Sequence, residues 1–163
     1  MWRLQHGELP DSLNPAVFWV LIGTNDLGTM ECSAENVVVG NIRVVEEILM
    51  RKPSATVVIN GILPRSNPYN MKGSAYALSS NSTSNGLKPV LQIYIDIVNA
   101  ALEKYAENRD RVEYFSTDVF WADSDPKSLQ LNETLMPDFL HPNALGYDAW
   151  AQEIVKKLDT IMI

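Results

Sequence analysis

The sequence predicts an α/β fold in which a parallel sheet is layered with helices. Three short apolar segments alternate with three amphipathic segments along 163 residues. A strand–helix–strand order joins parallel strands by right-handed crossovers, which place the helices on the faces of the sheet. With 46% hydrophobic and 20% charged residues, the chain is apolar and long enough for one domain with its own core. We therefore expect a single domain over residues 1–163.

The three predicted strands are short and rich in β-branched and aromatic residues. Ala16–Ile22 is apolar throughout, which is typical of a central strand buried on both faces. Thr56–Gly61 and Val112–Phe115 are the second and third strands. Because the carboxyl ends of parallel strands carry the active sites of such sheets, the residues that follow each strand are the candidates for function.

The three predicted helices cover Ser33–Met50, with Ser33 as the N-cap, Leu87–Ala106, and about Asn143–Thr160. Their apolar residues recur every three or four positions, as on the buried face of a helix. Between the second strand and the second helix, Pro64–Gly86 is dense in Ser, Asn, Gly and Pro, which predicts a long surface insertion. The residues expected to point inward from the last helix are Tyr147, Trp150, Ala151, Ile154 and Leu158.

Charge and composition exclude several classes of function. The 13 basic and 20 acidic side chains give a net charge of −7, and no Lys/Arg-rich stretch stands out, which argues against a nucleic-acid or anionic-membrane partner. The longest apolar run, Ala16–Ile22, is far short of the roughly 18 residues of a membrane span. Cys32 is the single cysteine, so the chain has no internal disulfide and no cysteine-based zinc site. The glycine-rich motifs of nucleotide-binding domains are absent as well.

Two polar segments lie where an active site is expected. Gly23–Asp26 follows the first strand directly, and the amide of Asn25 can donate an N–H to an oxyanion above the sheet. The alternative is a turn in which the Asn and Asp side chains cap their own backbone.

Asp138 and His141 lie three residues apart, in the turn just before the last predicted helix. A carboxylate on one ring nitrogen would fix the tautomer and leave the other nitrogen as a general base. The alternative is a structural histidine hydrogen-bonded near the start of a helix.

Together these segments resemble a known family. Gly-x-Asn-Asp after a strand and Asp-x-x-His-Pro before a C-terminal helix resemble the third and fifth sequence blocks of the SGNH (GDSL-type) hydrolases. Trp2–Leu9 and Gly61–Arg65 are most similar to the platelet-activating-factor acetylhydrolase catalytic-subunit branch. The resemblance covers nearly the whole chain apart from the insertion.

The resemblance implies a flavodoxin-like three-layer α/β/α fold that hydrolyses carboxylic esters with a serine nucleophile. By this resemblance, His141 matches the family's general base, Asp138 the carboxylate that orients that base, and Asn25 the side-chain donor to the oxyanion. Gly23 and Asp26 match the motif and shape the turn. It implies a small ester substrate, with acetyl, acyl and phospholipid esters all open, and no metal or organic cofactor. The resembling branch forms dimers, which keeps a homodimer among the alternatives.

The first family block, which carries the nucleophilic serine, has no match in the sequence. Ser12 and Ser54 precede strands, Ser66, Ser74 and the serines of 79–84 fall in the insertion, and Ser116 lies in no activated turn. We therefore expect an N-terminally incomplete domain with its nucleophile upstream, inactive by itself, and with any targeting signal lost. The competing hypothesis is a module without activity that binds a partner through the open edge of its sheet.

Overall fold

The structure is a computed structural model that describes residues 2–65, 90–122 and 131–162. An irregular helical turn at Leu4–Glu8 precedes the first strand, and a 3-10 turn at Asp118–Phe120 follows the last. The predicted insertion lies outside the described residues from position 66 onward. The strands are β1 (Val17–Val20), β2 (Thr56–Asn60) and β3 (Val112–Phe115), and the helices are α1 (Thr24–Gly28), α2 (Ala34–Arg51), α3 (Val90–Glu107) and α4 (Ala144–Ile161).

The three strands form a parallel sheet in the order β1-β2-β3. This confirms the α/β class with a parallel sheet. The prediction that the first strand is central and buried on both faces was wrong for the described sheet: β1 pairs with β2 on one side, and only Val20 of its four residues is buried. The strand buried on both faces is β2, where Val57, Val58 and Ile59 are fully inaccessible to solvent.

The chain divides into two compact units. The first contains the residues up to Ile62 together with Ile97–Ser116, and therefore the whole sheet. The second contains Leu63–Asp96 and the residues from Thr117 onward. The single domain over 1–163 stays a prediction.

In the first unit, α2 packs against β2. The spacing of its apolar residues predicts a buried face of Val38, Ile42, Val45 and Leu49; apart from Val45, the observed face lies one residue earlier. Its buried residues are spaced three and four apart, as in a helix seated on a sheet. The shift buries the polar Asn41, whose Nδ2 donates to the Val37 carbonyl at 2.9 Å; an internal partner makes a buried amide tolerable. The buried positions of this face are Ala34, Val37, Asn41, Val45 and Ile48.

The chain that leaves β2 is held in place by side chains. Asn99 of α3 accepts a hydrogen bond from the Ile62 N–H at 2.8 Å and donates to the Ile62 carbonyl at 2.9 Å. Asn60, the last residue of β2, accepts from Nε1 of Trp19 at 2.9 Å. The carboxyl end of the sheet is therefore fixed by specific polar contacts rather than by apolar packing alone.

The second unit contains a small apolar core, which we name the Phe120 cluster. Trp150 of α4 contacts the ring of Phe120 edge-on, with ring centroids 5.8 Å apart. The predicted inward face of α4 is buried only in part: Tyr147 and Ala151 are exposed, and among the described residues of the helix only Gly146 is buried. The cluster consists of buried Phe120, Leu131 and Met136, with Leu63, Val119, Leu135, Phe139 and Trp150 packed against it.

No helix in the described ranges is both long and apolar enough to cross a membrane.

Candidate functional site

Gly23 makes the turn at the end of β1, in the first unit. Its φ of 110° lies in the left-handed region that favours glycine. A Cβ at this position would lie 2.7 Å from Cγ1 of Val37 and 3.0 Å from Cδ1 of Ile62. Glycine is therefore required twice, once for the backbone conformation and once for the close approach of α2 to the turn.

Asn25 lies in the first turn of α1, where the sequence indicated only a loop. The Asn25 carbonyl accepts hydrogen bonds from the N–H groups of Thr29 and Met30 at 2.8 and 3.0 Å. Buried Leu27 holds the short helix in the core, while Asn25 and Asp26 are exposed. The side-chain amide of Asn25 is thus carried by an ordered backbone on the surface just beyond the carboxyl end of β1.

Asp26 contributes through its backbone. Its carbonyl accepts a hydrogen bond from the Cys32 N–H at 2.9 Å, which closes the loop between α1 and α2. A role in shaping the turn is consistent with this contact.

Asp138 and His141 lie side by side in the loop before α4, in the second unit. Oδ2 of Asp138 is 2.8 Å from Nδ1 of His141. Oδ1 of the same carboxylate accepts hydrogen bonds from the backbone N–H groups of Leu140 at 3.0 Å and His141 at 2.7 Å. Both carboxylate oxygens therefore have hydrogen-bond partners. The two backbone N–H donors fix the Asp138 side chain in the orientation that contacts the imidazole.

These contacts decide the charge of Asp138. Partial burial works to raise the pKa of the Asp138 carboxyl, but the hydrogen bonds from the His141 N–H, the His141 ring and the Leu140 N–H outweigh it and lower that pKa below its ordinary value. The carboxylate consequently stays ionised to lower pH than an ordinary aspartate. An anion on Nδ1 favours the tautomer with a proton on that nitrogen and stabilises the imidazolium. The side chain of His141 is 70% exposed.

The loop that carries the pair is closed at its base by Asn143, the N-cap of α4. The Asn143 N–H donates to the Leu135 carbonyl at 2.9 Å, and its Nδ2 donates to the Thr134 carbonyl at 2.8 Å. Oδ1 of Asn143 accepts from the Gly146 N–H at 3.0 Å. One side chain thus caps the helix and ties the two ends of the loop together. The sequence indicated a helix start near Asn143 but carried no sign of the contact with residues 134 and 135.

Gly146 permits this closure. A Cβ on Gly146 would lie 2.4 Å from the Leu135 carbonyl oxygen, a backbone atom that cannot move without breaking the Asn143 hydrogen bond. We expect Gly146→Ala to lower the free energy of unfolding by about 1–3 kcal/mol, despite the better helix propensity of alanine. Urea unfolding measures this change.

The matched control for Gly146→Ala is Leu145→Ala. Leu145 precedes Gly146 in the same turn and is 58% exposed, so its truncation should change the free energy of unfolding by less than about 0.5 kcal/mol. A Gly146→Ala protein as stable as the parent would contradict the close approach of α4 to Leu135.

The structure places the predicted site residues in two groups. Gly23, Asn25 and Asp26 belong to the first unit, and Asp138 and His141 belong to the second. In the second unit, the carboxylate of Asp138 contacts the ring of His141. Among the described residues, no three His, Cys, Asp or Glu side chains lie close enough together to hold a metal ion.

The comparisons with known proteins agree with the resemblance that the two motifs indicated. Residues 1–149 match the GDSL-like lipase/acylhydrolase family. Platelet-activating factor acetylhydrolase IB subunit alpha1 from Homo sapiens is 31% identical over 151 residues, which cover 90% of this chain and 52% of the human protein. The alpha2 subunit from Rattus norvegicus is 39% identical over 75 residues, which cover 44% of this chain and 31% of the rat protein. The chain spans about half the length of the human relative.

Solved structures share the fold. A carbohydrate esterase family 3 protein from Talaromyces cellulolyticus superposes with a TM-score of 0.65 at 16% identity, over 98% of this chain and 66% of that one. An acetyl esterase mutant with acetate ion superposes with a TM-score of 0.61 at 17% identity, over 90% of this chain and 58% of that one. At these identities the likeness concerns the fold alone.

Proposed function

Because the chain belongs to the GDSL-like lipase/acylhydrolase family, we propose that it acts in the hydrolysis of carboxylic esters by a serine–histidine–aspartate mechanism. The observation that carries the proposal is the 2.8 Å contact between Oδ2 of Asp138 and Nδ1 of His141. A carboxylate held by two backbone N–H groups and directed at one ring nitrogen is the arrangement that a histidine general base requires. The remaining nitrogen, Nε2, is the one that accepts the proton.

The proposed reaction has two halves. A serine hydroxyl attacks the ester carbonyl and its proton passes to Nε2 of His141; collapse of the tetrahedral intermediate returns that proton to the leaving alcohol and leaves an acyl-enzyme. Water then attacks the acyl-enzyme with the same proton transfers, which releases the carboxylic acid and regenerates the serine. Asp138 stays ionised throughout and stabilises the imidazolium.

The nucleophile is assigned to a serine outside these 163 residues. Ser33 is an N-cap that accepts a hydrogen bond from the Asn36 N–H, while Ser12 and Ser54 precede β1 and β2 at the amino ends of the strands. The human relative is about twice as long as the matched region, so a related protein has room for further sequence blocks. By itself, the chain of 163 residues is then expected to be inactive.

The proposed substrates are small acetyl esters. The name of the human relative specifies acetyl-ester chemistry, and the net charge of −7 disfavours a long anionic ligand. Hydrolysis of p-nitrophenyl acetate by the native protein tests this proposal, with p-nitrophenyl octanoate as the comparison. Faster turnover of the octanoate would contradict the acetyl preference, and no turnover of either ester would contradict the proposed function.

The alternative of a partner-binding module is not favoured. It depends on the exposed edge of β1 in the described sheet, and nothing at that edge indicates what would bind there. The family match, in contrast, spans both the Asn25 and the His141 segments.

Asn25 is assigned the role of side-chain hydrogen-bond donor to the oxyanion. Asn25→Ala in the native protein should lower kcat by about 10²- to 10³-fold with little change in KM, because the lost hydrogen bond forms only as the oxyanion develops. Steady-state kinetics with p-nitrophenyl acetate measures both constants.

Asn36→Ala is the control for Asn25→Ala. Asn36 is another exposed asparagine of the first unit, at the start of α2, and its removal should leave kcat unchanged. An unchanged kcat for Asn25→Ala as well would remove Asn25 from the mechanism.

A further inference from the structure

Phe139 lies between Asp138 and His141 and has a left-handed backbone, with φ at 57°. Cβ makes this conformation costly for residues other than glycine, with Asn and Asp the usual exceptions, and a bulky residue there is uncommon. The other non-glycine residues with positive φ in the described ranges are Glu31 and Arg111, and both are exposed. Phe139 differs from them because its side chain packs against the Phe120 cluster.

The backbone reversal at Phe139 determines which atoms meet on either side. The Phe139 N–H donates to the Met136 carbonyl at 3.0 Å. The next two N–H groups, of Leu140 and His141, then turn back to Oδ1 of Asp138. Oδ2 is left for Nδ1 of His141. An extended residue at position 139 would carry His141 away from the carboxylate, so the pair depends on the left-handed turn.

We propose that Phe139 is the positioning residue of the Asp138–His141 pair: its ring, packed in the Phe120 cluster, holds the left-handed turn that sets the carboxylate against Nδ1. The inference rests on the proposed function, because the pair needs positioning only if His141 is a general base. We assign Phe139 no contact with the substrate or with the proton in transfer. Its contribution is the packing that offsets a backbone strain located at the site.

The tautomer of His141 is the most direct readout of this role. The ¹⁵N shifts of the imidazole distinguish a proton on Nδ1 from a proton on Nε2, and the Asp138 contact favours Nδ1. In the native protein, neutral His141 should carry its proton on Nδ1. Phe139→Ala removes the ring but keeps the Cβ, so the left-handed turn loses its support, and the Nδ1–H form should be lost. The kcat for ester hydrolysis should fall by about 10- to 100-fold, as for a misplaced catalytic group.

Three further variants separate positioning from a merely structural role. Phe139→Leu keeps an apolar anchor and should retain the Nδ1–H form. Phe139→Gly loses the anchor but also the Cβ penalty, so it should retain more of that form than Phe139→Ala. Val119→Ala removes two methyl groups from the same cluster but keeps the Phe139 ring, so it should retain more of the Nδ1–H form than Phe139→Ala.

The inference is overturned if Phe139→Ala keeps the parent tautomer, if Phe139→Gly is no better than Phe139→Ala, or if Val119→Ala loses the Nδ1–H form to the same degree. The NMR measurement needs no turnover. Its failure is therefore distinguishable from a failure of the proposed ester hydrolysis.

Discussion

Replacing His141 with alanine is expected to abolish the reaction of the native protein with a fluorophosphonate probe. The probe reacts with a serine only when a general base takes the hydroxyl proton. We propose that His141 is this base and that Asp138, 2.8 Å from its Nδ1, orients it. Ester hydrolysis should fall by roughly 10⁴- to 10⁶-fold, because serine and histidine act as a unit. Gel-based detection of the labelled protein and kinetics with p-nitrophenyl acetate measure the two effects.

His6→Ala is the matched control for His141→Ala, since His6 is the other histidine of the chain. The His6 ring stacks on Trp2 in the turn before β1, with centroids 4.5 Å apart, and His6→Ala should leave labelling unchanged. Because the His141 side chain is 70% exposed, His141→Ala should also fold with the parent's melting temperature. Retained labelling in a folded His141→Ala protein would remove His141 from the mechanism.

Gly23→Ala is expected to cause the largest loss of stability among single methyl additions to the first unit. A non-glycine residue in the left-handed region costs about 1–2 kcal/mol, and the new Cβ would lie 2.7 Å from Cγ1 of Val37. Overpacking of that kind costs about 1–3 kcal/mol. The free energy of unfolding should therefore fall by roughly 2–5 kcal/mol in urea.

Gly40→Ala adds the same methyl group to α2 at a position where no atom lies within 4 Å of the new Cβ. Alanine is the better helix former, so this control should gain about 0.5–1 kcal/mol. Equal unfolding midpoints for Gly23→Ala and Gly40→Ala would contradict the tight turn at the end of β1.

The strands and long helices could be predicted from the sequence because their patterns are local. Val112–Phe115 is the third strand as expected, and Ser33 is the N-cap of α2, accepting from the Asn36 N–H. The environment of β1 could not be predicted, since an apolar run shows that a strand is suited to burial but not which neighbours cover it. The buried face of α2 was misplaced for a related reason: Asn41 is polar, and its internal hydrogen bond to Val37 is not visible in the sequence.

The same distinction applies to the site. The contact between Asp138 and His141 was predictable because their spacing alone permits contact within one turn. The positive φ of Phe139 and the approach of Gly146 to Leu135 were not, because both depend on where the chain packs and not on residue type. The short helix that carries Asn25 was also missed, since five residues contain too little periodicity to indicate a helix.

The central claim is that the Asp138–His141 pair serves a serine nucleophile. The most direct test is the intact mass of the native protein after treatment with a fluorophosphonate, followed by peptide mapping of the modified residue. We expect a species heavier than 18.3 kDa that gains a single adduct on a serine outside these 163 residues. A native mass near 18.3 kDa with no adduct would contradict the claim and leave a fold that holds the acid–base pair without the reaction.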